Sequence, residues 1–276
     1  MTSTITFANM DQSHLSGAMR ISKDVGWPHR LEDWAFIVGF SQGVVALEDD
    51  RVVGTAIATP FGEVGMVNLI IVDVTMRGRG LGRKLMTEAM QKISPRVWRL
   101  VATQDGLPLY EKLGFVATGE IVQHQGPVVE VVHTSAAVWA VQDDMTAIRA
   151  MDKVATGMDR STLYDGLEGN ARFAVLRAGN QISGFAVLRD FGRGEVIGPV
   201  VATSVEDAKG LMAMIMSTRT GRFIRVDVDA KSGLSPWLEE LGLGNVGIGI
   251  SMEIGQLEKA DTPQYQIYAL AAQALG

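Results

Sequence analysis

The run GMVNLIIVDV, residues 65–74, is almost unbroken in apolar character, stops at MRGRGLG, and resumes at once as GRKLMTEAMQKI. A strand without polar alternation is buried on both faces, so it predicts a place at the centre of a layered sheet. The segment after it has helical spacing, with apolar residues at Leu85, Met86, Ala89, Met90 and Ile93. Strand, glycine bend and helix in direct succession leave backbone N–H groups free at the bend, backed by the positive end of a helix dipole. Such a bend is suited to a phosphate. Its glycines permit positive φ and close backbone approach, and Arg77, Arg79 and Arg83 add charge.

The remaining elements follow from pattern. Thr4 to Ala8 alternates as a short strand, a helical stretch runs from Met10-Asp11 through Ser22 to Gly26-Trp27-Pro28, and a second helix covers Leu31 to Val38. VVALEDDRVVGTAIATPFG reads as a hairpin turning at Glu48-Asp49-Asp50-Arg51. After the glycine bend come the strand WRLVAT, the short helix GLPLYEKLG closed by Gly114, and the strand FVATGEIVQ. The second half repeats this grammar: FAVLRAGNQISGFAVLRDFG matches the hairpin, with Gly184 at the place of Gly54, and FIRVDVDAKSGLSPWLEELGL matches VWRLVATQDGLPLYEKLGF. Two separate segments matching in order point to an internal duplication with its boundary between Ala137 and Asp144. The tail from Leu257 to Gly276 has helical character at its end.

Two common phosphate loops do not fit. A mononucleotide P-loop ends in Gly-Lys-Ser or Gly-Lys-Thr, whereas Gly82 is followed by Arg83-Lys84-Leu85. A dinucleotide fingerprint belongs to a first strand–helix unit with an acidic residue ending the next strand; here the bend follows a fourth strand, and the next ends in Ala102-Thr103. Coenzyme A is the third option.

NLIIVDVTMRGRGLGRKLM followed after one strand by LYEKLGF resembles motifs A and B of the GNAT superfamily of acyl-CoA-dependent N-acyltransferases. Arg77-Gly78-Arg79-Gly80-Leu81-Gly82 matches that family's Gln/Arg-x-x-Gly-x-Gly/Ala element, while Val74 stands where many relatives have proline. The resemblance implies a mixed α/β (α+β) fold of tandem GNAT-like domains, each a central, mostly antiparallel sheet flanked by helices. It assigns residues 1–138 to a catalytic domain and 139–276 to a degenerate GNAT-like domain with a helical tail. It further implies that Ile70, Ile71 and Val72 pair with the pantetheine arm of acetyl-CoA and that residues 77–82, with Arg83, hold its pyrophosphate. At the matching place the second half has GPVVATSVEDAKGLM, where Glu206 and Asp207 would repel a phosphate.

Acyl transfer to an amine asks for alignment, polarisation of the thioester carbonyl, and proton transfer. By resemblance Tyr110 protonates the departing thiolate, and the backbone N–H of Val72 polarises the carbonyl. Trp237 or Leu238 replaces the tyrosine in the second copy. For a base the candidates are Glu63, Glu120, His124, Asp33 and His29, with a water chain as the alternative. In GWPHRLEDW, Trp27, His29, Asp33 and Trp34 are candidate walls of an acceptor pocket. Arg160, Arg189 or Arg225 could then meet an acidic group on the acceptor.

The expected reaction is acetyl transfer from acetyl-CoA to a primary amine of a small molecule, by direct attack in a ternary complex. A non-catalytic acyl-CoA sensor and a protein or peptide N-acetyltransferase stay open. With 276 residues, a net charge of −6, no cysteine and four unpaired-looking histidines, neither a metal site nor broad nucleic-acid binding is expected. The absence of a basic, then apolar, N-terminal run and of a long apolar span leads us to expect a cytoplasmic protein without membrane contact. A homodimer is compatible with the sequence but not required by it.

Overall fold

The structure is a computed structural model that describes residues 4–179, 181–257 and 264–276. Its first half runs β1 (Ile5–Asn9), α1 (Leu15–Asp24), α2 (Leu31–Val38), β2 (Gln42–Glu48), β3 (Arg51–Phe61), β4 (Val64–Val72), α3 (Leu81–Met90), β5 (Val97–Ala102), α4 (Leu107–Lys112) and β6 (Val116–Pro127). The second half repeats the order: β7 (Val138–Trp139), α5 (Met145–Thr156), α6 (Ser161–Leu167), β8 (Ala171–Ala178), β9 (Gln181–Phe191), β10 (Gly194–Ala202), α7 (Val205–Ser217), β11 (Phe223–Asp229), α8 (Ser235–Glu240), β12 (Gly244–Ile254) and β13 (Gln266–Ala269). As its apolar run requires, β4 is buried along most of its length and hydrogen-bonds to β3 on one edge and to β5 on the other.

Among the described residues all thirteen strands join one sheet, ordered β1-β2-β3-β4-β5-β12-β6-β11-β13-β10-β9-β8-β7. The halves are interleaved within it. β12 lies antiparallel between β5 and β6, and β6 lies antiparallel between β12 and β11. Helices α1, α2, α5 and α6 pack on one face around a core common to both halves, which includes Trp34, Ile148, Leu163, Tyr164 and Phe185. On the other face α3 and α4 cover the first half, and α7 and α8 the second.

Each half contains one parallel strand pair that parts midway. β4 and β5 pair only from Val64–Met66 against Val97–Arg99, and β10 and β11 only at Glu195-Val196 against Ile224-Arg225. The first gap is open. The second is filled by β13, antiparallel to β10 through Val200↔Ala269 and Ala202↔Gln266, and to β11 through Val228↔Ala269. The expected helical end of the tail is therefore a strand followed by a turn: unpaired edges on β10 and β11 offer the alternating Gln266–Ala269 segment more hydrogen bonds than a single helical turn would. Residues 258–263 of that tail lie outside the described residues.

Gly198 makes this seating close. A Cβ built there would stand 1.9 Å from the Leu270 carbonyl oxygen, a backbone atom that cannot swing aside. Gly198→Ala is accordingly expected to displace the tail and lower stability by about 1–3 kcal/mol. Thermal or urea unfolding checks it; a variant as stable as the parent chain would show that the tail is not held at this point.

Candidate active site

The open gap is the inner part of a cleft of about 970 Å³. Its first wall is the free edge of β4 from Val67 to Val72, and facing it are Val101, Thr103, Gly106 and Tyr110 of the β5–α4 region. In an antiparallel ladder alternate residues face the neighbour, and Asp73 N–H donates to the Val53 carbonyl of β3. Val72, one residue away and paired with Gly54, therefore turns its own N–H toward the gap. β4 also bulges between Asn68 and Ile71, with Leu69 held at φ +48°.

Beyond Val72 the chain is pinned by Asp73, which the sequence reading did not single out. Its carboxylate accepts from Thr75 N and Oγ1 at 3.0 and 2.7 Å, and from Arg51 and Arg20 at 3.0 and 3.3 Å. Burial raises its pKa, but these hydrogen bonds and charges outweigh that and hold it below the ordinary carboxylate range. The acidic residue followed two positions later by threonine was the readable sign of such a turn. Gly78 and Gly80 then take φ +78° and +75°, and α3 begins at Leu81. A Cβ at either glycine would meet nothing within 4 Å, so the bend is open on that side. Arg77, Arg79 and Arg83 are exposed. Arg77 and Gly82 line the cleft itself, Gly80 and Arg83 line a separate shallow depression, and the Leu81 side chain packs into the core.

Tyr110 lines the cleft from α4, and burial pushes its phenol up to about 12, so it stays protonated at neutral pH. In the second half the matching position of α8 is Leu238, wholly buried. There the first turn of α7 is also occupied from within, since Ser204 Oγ accepts from Asp207 N and Glu206 and Asp207 stand beside it.

The far end of the cleft is built by both halves. Trp27, Pro28 and His29 come from the α1–α2 connection, Phe191 from the end of β9 and Arg193 from the β9–β10 turn, Gln123 and Gln125 from β6, Arg225 from β11, and Ala272–Ala274 from the tail. Of the four acceptor-wall candidates, Trp27 and His29 line it. Trp34 is fully buried in the common core, and Asp33 is a structural clasp: it accepts from Arg30 N, Nε and an Nη, and from Gly192 N at 3.0 Å, which ties α2 to the β9–β10 turn. Arg160 does not reach the cleft either. It is buried, bonded to Asp152, and donates to the carbonyls of Leu275 and Gly276, so that it anchors the tail.

The candidate bases fare similarly. Glu63 pairs loosely with Arg96, Glu120 is exposed on β6, and His124 is buried between the Leu243 carbonyl and Ser235 Oγ; none lines the cleft. His29 is present, its Nδ1 2.9 Å from Ser22 Oγ and its ring edge-on to Trp27, Trp34 and Phe191. Burial first, and then the Arg225 charge, lower its pKa to about 4. One further residue appears only in three dimensions. Asn68, 5 % exposed, donates through Nδ2 to Thr59 Oγ1 at 2.9 Å, while its Oδ1, a buried acceptor on the cleft wall, has no partner. An unmet buried acceptor costs about 1–3 kcal/mol, a cost that a ligand N–H at this point would remove.

Profiles of acetyltransferase (GNAT) domains match residues 40–117 and, separately, 148–269. The chain is 26 % identical over 280 residues to the uncharacterized N-acetyltransferase YitH of Bacillus subtilis, covering 97 % of each chain. A candidate acetyltransferase of Pyrococcus horikoshii superposes with a TM-score of 0.82 at 18 % identity, over 99 % of this chain and 96 % of that one. A tandem GNAT protein from the clavulanic acid biosynthesis pathway does so at 0.62 and 14 %, over 92 % and 100 %. The two solved structures share the fold.

The depressed His29 pKa has a consequence for stability. Between about pH 4 and 6.5 the unfolded histidine binds a proton that the folded one does not, so stability is full above 6.5 and falls as pH drops toward 4. The loss is on the order of 2 kcal/mol once partial solvent exposure is allowed for. His29→Gln should flatten the melting temperature against pH across that window; an unchanged slope would remove His29 as its source.

Proposed function

From the premise that this chain is a GNAT-superfamily acyltransferase with two such domains in tandem, we propose that its first half transfers an acetyl group from acetyl-CoA to the primary amine of a small molecule. The observation that carries the proposal is the continuity of one cleft. A free strand edge leads from a cationic glycine bend, past a protonated tyrosine, to a walled end made by both halves. The residues present suit acetyl-CoA: the Val72 N–H and the β4 edge offer ladder partners to its amide-bearing arm, and the bend offers its phosphates the free N–H groups at the start of α3 and Arg77 on the cleft, with Arg79 and Arg83 exposed nearby. When bound, acetyl-CoA supplies an activated thioester.

The roles of the chain's own groups follow. Val72 N–H donates to the carbonyl oxygen and stabilises the charge that gathers there. Asn68 Oδ1 accepts from the amine and points its lone pair at the carbonyl carbon. As the new C–N bond forms and the C–S bond breaks, the Tyr110 hydroxyl gives its proton to sulfur, and the surplus amine proton leaves through water to restore the phenol. His29, neutral at physiological pH, shapes the wall. The second half is assigned a supporting role, residues 139–276 carrying no cofactor, because β13 fills its gap, Ser204 caps its α7, and Leu238 replaces the tyrosine. The walled acceptor end favours a small molecule over a polypeptide.

The test follows free thiol while pure protein is incubated with acetyl-CoA and a panel of primary amines. Tyr110→Phe should lower kcat about a hundredfold or more while leaving acetyl-CoA affinity nearly unchanged. A chain that binds acetyl-CoA but releases thiol with no amine is a sensor, and the proposal fails. Gly80→Val, a β-branched residue at φ +75°, should weaken acetyl-CoA binding at least tenfold by calorimetry.

A further inference from the structure

The walled end of the cleft has an unusual charge balance. Among the described residues, the carboxylate lining the whole cleft is Asp105, and it stands at the opposite end, 3.7 Å from Arg77. The walled end is lined by two guanidinium groups instead, Arg193 and Arg225. Arg225 is buried and shares Asp227, which takes its Nε at 3.0 and 3.1 Å and an Nη at 2.9 Å. Arg193 is exposed and has no carboxylate partner among the described residues.

Behind them stands a third cation. Arg189 is 8 % exposed, donates to two backbone carbonyls, of Asp190 and Ala271, at a long 3.3 Å, and leaves Nε without a partner. It and Arg225 lie 4.9 and 5.2 Å from the centroid of one ring, Phe191. Arg30 at the back is already matched by Asp33. Around Phe191, therefore, three guanidinium groups, of Arg30, Arg189 and Arg225, share two buried carboxylates, Asp33 and Asp227, with Asp190 exposed beside Arg30, and Arg193 adds a further positive charge at the surface. A buried cation without a counter-ion is costly unless something else supplies the negative charge. Desolvation of Arg189, joined by repulsion from Arg225 and Arg30, outweighs the attraction of Asp33 and Asp227 and brings its pKa down to about 10.

Resting on the function proposed above, we propose that the acceptor is an amine that also carries an anionic group, a carboxylate or a phosphate, and that Arg225 and Arg193 receive this group in the field of Arg189. The amine lies at the Asn68 side and the anion at the Phe191 side, with Gln123, Gln125 and Gln273 between as neutral hydrogen-bonding groups. A polyamine or a simple cationic amine is disfavoured, because its second positive charge would meet arginines with no lining carboxylate nearby.

The experiment compares matched acceptors with acetyl-CoA: 4-aminobutyrate against butylamine for a carboxylate, and O-phosphoethanolamine against ethanolamine for a phosphate. We expect kcat/KM at least tenfold higher for one or both anionic members, the better pair identifying the anion. Arg193→Gln should reduce that advantage about tenfold, read as the ratio of kcat/KM between the anionic and neutral members of each pair. Arg225→Gln with Asp227→Asn, which removes a charge pair without stranding either partner, should reduce it further. Equal turnover of charged and neutral members, or an equal loss for both in Arg193→Gln, would overturn this inference while leaving acyl transfer intact. Should no amine release thiol, the reading of function fails, and calorimetry with 4-aminobutyrate and O-phosphoethanolamine on the CoA-saturated protein decides the anion site separately. Binding of either compound that Arg193→Gln weakens supports the site; no binding, or binding indifferent to the variant, overturns it.

Discussion

Two parallel strands that part midway leave backbone donors and acceptors facing each other across a gap, and a buried peptide group without a partner is too costly to leave unanswered. This chain answers the same problem twice, in two ways. In the first half the gap opens into a cleft large enough for solvent or a ligand, and β4 keeps its free edge. In the second half the chain supplies its own filler, since β13 bonds to β10 and β11 and Gly198 leaves room for the Leu270 carbonyl. A duplicated fold thereby becomes asymmetric without losing its frame.

The filler also couples the halves. Having closed the second gap, the tail turns, is fastened by Arg160, and presents Ala272, Gln273 and Ala274 to the cleft of the first half. β12 crosses in the same direction, since without it β5 and β6 would not be joined. The clasp of Asp33 on Gly192 fixes the α1–α2 connection to the β9–β10 turn, so Trp27 and His29 face Phe191 and Arg193 across a set distance. The walled end of the cleft is thus a property of the whole chain, since residues of both halves line it.

Local pattern made most of the elements legible. The buried strand at 64–72, the positive-φ glycines of the bend, the helix over Leu31–Val38 and the repeated hairpin all follow from period and turn chemistry that act within a dozen residues. What was not legible depends on distant partners. The end of the tail reads as helical because its short apolar run has no visible pairing partner, and the empty edges of β10 and β11 decide otherwise. Asp33 and Trp34 look like pocket residues beside Trp27 and His29, yet the helix that carries them turns one into a clasp and the other into the core. Asn68 is hidden for the opposite reason: one polar residue in an apolar strand reads as an interruption until the bulge places it on the cleft wall.

The distribution of titratable groups along the cleft constrains how a proton could leave in the proposed reaction. Tyr110 is held protonated and can give a proton before it can accept one; His29 is held neutral with a pKa near 4 and is a poor base; and among the described residues the lining carboxylate, Asp105, sits with Arg77 at the end beside the glycine bend. In the orientation proposed above, an ammonium nitrogen at the Asn68 side would find no lining carboxylate beside it, since Asp227 is committed to Arg225 and Asp105 to the end near Arg77. The net positive field of Arg189, Arg193 and Arg225 would further disfavour the protonated amine, because like charges lower its pKa. Electrostatics at the wall would then prepare the nucleophile in the way a dedicated base does elsewhere. On the proposal made above, the arginine end of the cleft would both hold the acceptor by its negative end and help to keep its nitrogen lone pair free.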